Sequence, residues 1–219
     1  MKNLLASLVL ATQILVPQPI SSETIFRYNN YEKKEVLEYV IKNSTIKKSP
    51  TGSIPVNFSV FQKIGFDYKL LGNLSHDLGM SEFIVKEPKT KSYIIKYPKG
   101  TTLMDAIEEH IEADRANLSY LIRMKPEDIS IAVNFEAVPH GSNTDYKADV
   151  YVRPDNWGKR TIFTILSLIP SFDKMMGIKI DNLNKTSENL FQKLRENPNE
   201  IYKTSISDEE KRRIRSLFE

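Results

Sequence analysis

Between residues 129 and 153 the chain alternates apolar and polar side chains twice. Ile129, Ile131, Val133, Phe135 and Ala137 interleave with Ser130, Ala132, Asn134 and Glu136. After a polar break, Tyr146, Ala148, Val150 and Val152 interleave with Lys147, Asp149, Tyr151 and Arg153. Period two on both sides of a turn predicts two antiparallel strands with one buried face. Residues 82–87 and 92–97 flank Pro88-Lys89-Thr90-Lys91 and predict a second hairpin. Ile54, Val56, Phe58 and Val60, then Ile64, Phe66, Tyr68 and Leu70, also alternate and read as strands, with residues 72–79 as a loop.

Helical spacing marks other stretches. Val36, Leu37, Val40 and Ile41 predict a helix over 31–43, with Asn30 as a cap. Leu103, Ile107, Ile111, Leu118, Leu121 and Ile122 form a stripe that predicts one long helix over 103–123. Ile162, Phe163, Ile165, Leu166 and Ile169 fit a further helix, residues 171–176 a short turn of helix, and 178–180 a short strand. Residues 185–196 read as a helix that stops before Pro198. Ser207 with Glu210 is a capping box that opens a last helix, and Asp208 and Glu209 suit its positive end. Strands cluster in two groups, with helices between and after them. The expected class is therefore α+β: an antiparallel sheet built from hairpins, packed by one long helix and C-terminal helices.

The N-terminus modifies that picture. Lys2 precedes a 13-residue apolar run, Leu4 to Val16, closed by Pro17 and Pro19 and then Ile20-Ser21-Ser22. This order of charge, apolar run and small residues is that of a secretory signal peptide, and the run falls short of the roughly 20 residues that span a bilayer. Residues 1–22 are thus expected to be a signal peptide or, failing that, an N-terminal apolar helix or anchor. Residues 23–219 are expected to form a single α+β domain whose C-terminal part, 184–219, is helical. Five Asn-x-Ser/Thr sites, at Asn43, Asn57, Asn73, Asn117 and Asn184, exceed the roughly two expected by chance and lean the same way. The expected location is secreted or cell envelope, with the cytoplasm as the alternative.

Composition narrows the chemistry. A chain of 219 residues with 40% apolar and 27% charged residues can bury one sizeable core. A net charge of +3 is too small to suggest a nucleic-acid partner. The absence of cysteine removes thiolate catalysis, disulfides and cysteine zinc sites. The phosphate loop, the dinucleotide fingerprint, the nucleophile elbow and the HExxH motif are missing, and no cofactor is called for.

The remaining candidates are individual residues. His76, His110 and His140 lack the i, i+4 spacing that would place two metal ligands on one helix face, so no metal site is assigned. Asp105, Glu108, Glu109 and Glu112 line one side of the expected long helix, where a solvated face is the plainer explanation. His76, His140 and Glu109 are the candidate acid–base groups for a hydrolase. Ser44/Lys47 and Ser171/Lys174 match a serine–lysine spacing that arises by chance at this composition. Tyr146, Tyr151 and Trp157 with Arg160 could present an aromatic and basic surface at the hairpin end for a protein, peptide or glycan. Membrane contact is expected only through the N-terminal segment. The leading expectation is a non-catalytic binding protein. An extracytoplasmic hydrolase and a cytosolic accessory protein are the alternatives.

Overall fold

The computed structural model describes residues 30–82, 84–89, 91–97, 100–125, 128–156, 158–161 and 185–219. The N-terminal segment 1–22, Trp157, Asn184, the stretches at 162–170 and 171–176 and the strand candidate at 178–180 lie outside them. The fold is α+β. Helix α1 (Asn30–Lys42) leads into two short strands, β1 (Ile46–Lys48) and β2 (Thr51–Ile54). Helices α2 (Phe58–Gly65) and α3 (Tyr68–Asp77) follow. Six strands come next: β3 (Ile84–Lys89), β4 (Ser92–Tyr97), β5 (Gly100–Ile111), β6 (Ala116–Lys125), β7 (Ile129–His140) and β8 (Asn143–Pro154). Helix α4 occupies 185–196. A 3-10 turn (Pro198–Lys203) and helix α5 (Asp208–Arg215) end the chain.

The eight strands form one antiparallel sheet, a meander from β3 to β8 in which each strand pairs with the next. Both β1 and β2 pair with β8, β1 against Val150–Val152 and β2 against Thr144–Lys147. They act as one edge strand interrupted at Pro50, whose carbonyl accepts from the Ala148 N–H. A proline at this place suits an edge, because the edge strand has no further neighbour to receive its missing N–H.

Each face carries its own helices. Leu37 and Val40 of α1 pack with Leu121 and Ala132 on one face. On the other face α2, α3, α4 and α5 bury Phe61, Ile64, Leu74, Phe191, Leu194 and Ile214 against the alternate residues of the strands, among them Tyr93, Leu118, Tyr120 and Tyr146. The pair α2–α3 bridges the sheet. It leaves edge strand β2 and ends beside β3, where Asn73 Oδ1 accepts from the Val85 N–H.

The central hairpin, the 84–97 hairpin, α1, α4 and the Ser207 cap stand where the spacing puts them, but the central hairpin is covered on both faces rather than one, with Ser130, Ala132 and Arg153 of the expected polar face also buried. Ser207 Oγ accepts from the Glu210 N–H at the start of α5. Two further expectations are corrected. The long helix over 103–123 is instead the β5–β6 hairpin, turning through 112–115. A bulge between Ala106 and Glu108 inserts one residue into β5. Leu103, Ile107 and Ile111 recur every four residues, a spacing that fits a strand as well as a helix, and the bulge turns Ile111 to the face opposite Leu103. The strands expected over 54–60 and 64–70, and the loop over 72–79, give way beyond Ile54 to α2 and α3. Asn57 and Asp67 start these helices, their side chains accepting from the N–H groups of Val60 and Leu70. The apparent alternation from Ile64 to Leu70 runs across the junction of two short helices. Every second residue over so few positions also satisfies much of a 3.6 period.

Candidate functional site

Between the sheet and α2, α3 and α4 the aromatic residues do not close up completely. A first lobe, open to solvent on one side, has a cavity volume of about 140 Å³, and Phe61, Phe66, Phe135, Tyr146 and Phe191 line it. A second lobe runs on toward β3 and β4 past Val85, Ile95 and Met104. Tyr68, Leu71, Tyr120 and Ser187 line both lobes, so the two are halves of one cleft.

The walls are ordered by ring packing. Phe61 meets Phe66 edge-on with centroids 5.0 Å apart, and lies 5.7 Å from Phe191. Phe135 and Tyr146 stack at 5.7 Å. Tyr68 meets both Tyr93 and Tyr120 edge-on at 5.3 Å. These offset and perpendicular geometries are the favoured ones for aromatic pairs. Gly65 makes room for the Phe61 ring, because a Cβ there would stand 2.5 Å from a ring carbon.

Polar groups in the cleft are few. The hydroxyls of Tyr68 and Tyr120 hydrogen-bond to each other across the waist between the lobes. The Tyr146 hydroxyl donates to Glu188 Oε1 of α4 at 2.9 Å. Burial pushes the phenols of Tyr68, Tyr93 and Tyr120 well above the usual range, and the negative charge of Glu109 adds a smaller push. All three are therefore neutral phenols at physiological pH, able to donate and accept. Among the described lining residues there is no lysine, arginine or histidine.

The residues singled out from the sequence are dispersed. Tyr146 faces the cleft, whereas Tyr151, five residues on in the same strand, faces α1 and carries Lys47 Nζ 5.1 Å from its ring centroid. An aromatic surface uniting the two is ruled out by strand geometry, since an odd separation puts side chains on opposite faces. Trp157 lies outside the described residues. Arg160 belongs to a helical turn at 158–161 and reaches the Asp155 carbonyl.

His76 is exposed near the end of α3. His110 pairs with Glu112 at 2.8 Å, and His140, at the tip of the β7–β8 hairpin, pairs with Asp145 at 2.7 Å. Among the described residues no group of three or more His, Asp or Glu side chains could hold a metal ion. The four acids expected on one helix face separate. Asp105 and Glu108 turn toward α1, where they meet Lys33 and Lys34. Glu109 stands opposite Leu118 toward the other face and pairs with Lys91. The Ser44 hydroxyl bonds the Ile41 carbonyl rather than Lys47.

The cleft escaped the sequence reading because half its wall comes from α2 and α3, which the alternation misassigned. The one available signal was the density of Phe and Tyr between 58 and 68.

The site is thus an aromatic cleft gripped between an antiparallel sheet and helices of an α+β domain. No protein-family model matches the sequence, and no curated protein matches it. The chain is similar to solved structures. One is a conserved protein of Geobacillus kaustophilus, at 10% identity and a TM-score of 0.45, covering 68% of this chain and 97% of that one. Another is a hypothetical protein of Helicobacter pylori, at 8% identity and a TM-score of 0.47, covering 78% and 98%. A third is norcoclaurine synthase of Thalictrum flavum in complex with dopamine and hydroxybenzaldehyde, at 10% identity and a TM-score of 0.40, covering 83% and 97%.

Proposed function

We propose that this is a non-catalytic binding protein whose ligand is a small, largely apolar molecule held in the cleft beneath α2 and α3. The observation that supports this reading is the two-lobed aromatic void itself. Protein interiors pack closely, and an unfilled apolar space forgoes dispersion contacts unless something occupies it. A concave apolar site with a few convergent polar groups is the usual form of a small-molecule site. This occupant replaces the peptide, glycan or protein expected at the hairpin end, since Tyr146 turns inward and Tyr151 away. The signal-like N-terminal segment and the five glycosylation sequons support a secreted or envelope location for that binding.

The test is fluorescence titration with N-phenylnaphthylamine, a neutral probe that brightens in apolar surroundings. Saturable uptake is expected. Leu71→Trp, which puts an indole into the residue common to both lobes, should weaken it by roughly tenfold, about 1.4 kcal/mol. Uptake by the folded variant equal to that of the wild type, or no saturable uptake at all, would remove the cleft as a binding site.

A further inference from the structure

Among the described residues, the pair of tyrosines at the waist of the cleft is incompletely bonded. Two phenols carry two O–H protons, and their mutual hydrogen bond uses one of them. The other proton has no partner among the described residues. Tyr120 is 7% exposed, and both rings line both lobes. A buried donor left unbonded is costly, so this one is poised for an acceptor brought in by the occupant.

The charges around the cleft indicate which acceptor. With no cation among the described lining residues, a carboxylate or phosphate entering the cleft would lose its hydration without gaining an ion pair. The formal charges that act on the three phenols are themselves negative. Glu188 accepts from Tyr146, and Glu109 acts on all three phenols while its own charge is partly offset by Lys91. We infer that the Tyr68–Tyr120 pair makes the cleft selective for an uncharged apolar molecule carrying a carbonyl or ether oxygen, and that it rejects the corresponding anion. This deepens the binding role proposed above and rests on it.

The experiment displaces N-phenylnaphthylamine with three molecules of one chain length at neutral pH: methyl laurate, laurate and dodecane. The wild-type protein is expected to bind methyl laurate about tenfold more tightly than either laurate or dodecane. The double variant Tyr68→Phe, Tyr120→Phe removes both donors while keeping both rings. It should lose the preference of ester over alkane, read as the ratio of the two affinities within the variant, and a cooperative urea-unfolding transition serves as the control for folding. Three results would overturn the selectivity alone: laurate binding as tightly as its ester, ester and alkane binding equally to the wild type, or a preference that survives in the double variant. Failure of the wild type to take up the probe would overturn the cleft reading and this inference together.

Discussion

Asp105 illustrates how one side chain can change meaning on folding. From spacing it belongs to a solvated acidic face. In the fold its side chain is 4% exposed and is surrounded by Lys33 Nζ at 2.6 Å, Arg123 at 2.9 Å and the Ser92 hydroxyl at 2.7 Å. Burial by itself would push the carboxyl up. The hydrogen bonds from Lys33 and Ser92 and the charges of Lys33 and Arg123 outweigh burial and hold it below the ordinary value. A depressed folded value means the ionised carboxylate stabilises the fold above the unfolded pKa of about 3.9. That contribution is lost as the pH falls through the folded value. Asp105→Asn leaves a lysine and an arginine facing a neutral amide, and should cost about 3 kcal/mol at neutral pH. Urea unfolding across a pH series should show this difference shrinking below about pH 4. A difference that is absent at neutral pH, or that grows on acidification, would contradict the role given to the triad.

Among the elements, α2 and α3 matter most for the cleft, because they supply Phe61, Phe66, Tyr68 and Leu71. Both are short, and short helices depend on their caps and on tertiary packing. The Asn57 side chain accepts from the Val60 N–H at 2.9 Å. Asn57→Ala should therefore cost about 1 kcal/mol in denaturant unfolding, with Asn57→Asp costing much less. Equal losses in the two variants would deny the cap. These helices were written in the sequence, but faintly: a capping Asn and Asp, each placed three residues before a free N–H. The alternation of Val56, Phe58 and Val60 was the louder signal and pointed elsewhere. In β5 the error ran the opposite way, because Leu103, Ile107 and Ile111, four apart, fit a helix as well as a strand. Both misreadings have one cause. Period two and period 3.6 are hard to separate over six or eight residues, and the pairing that decides between them lies far away along the chain.

For the molecule taken together, location and occupancy are linked. A binding protein outside the cytoplasm would meet its ligand there, and the N-terminal run should then be removed on export. Expressed in a secreting host, the protein is expected to begin at Glu23, as read by N-terminal sequencing of the soluble product; an intact Met1 in that product would place the run with the folded chain instead. The described residues contain no helix long and apolar enough to cross a membrane.

Local order was available from the chain alone wherever a single period ran uninterrupted. The 129–153 ribbon, α1, α4 and the Ser207 cap needed nothing beyond neighbouring residues, since side-chain alternation and cap hydrogen bonds are short-range effects. The cleft needed the complete fold. Tyr68 and Tyr120 are 52 residues apart, and no local pattern records that an α3 phenol will meet a β6 phenol. Register across the sheet, the bulge in β5 and the passage of α2–α3 over one face decide it, because each depends on long-range pairing free energy that no short window of sequence contains.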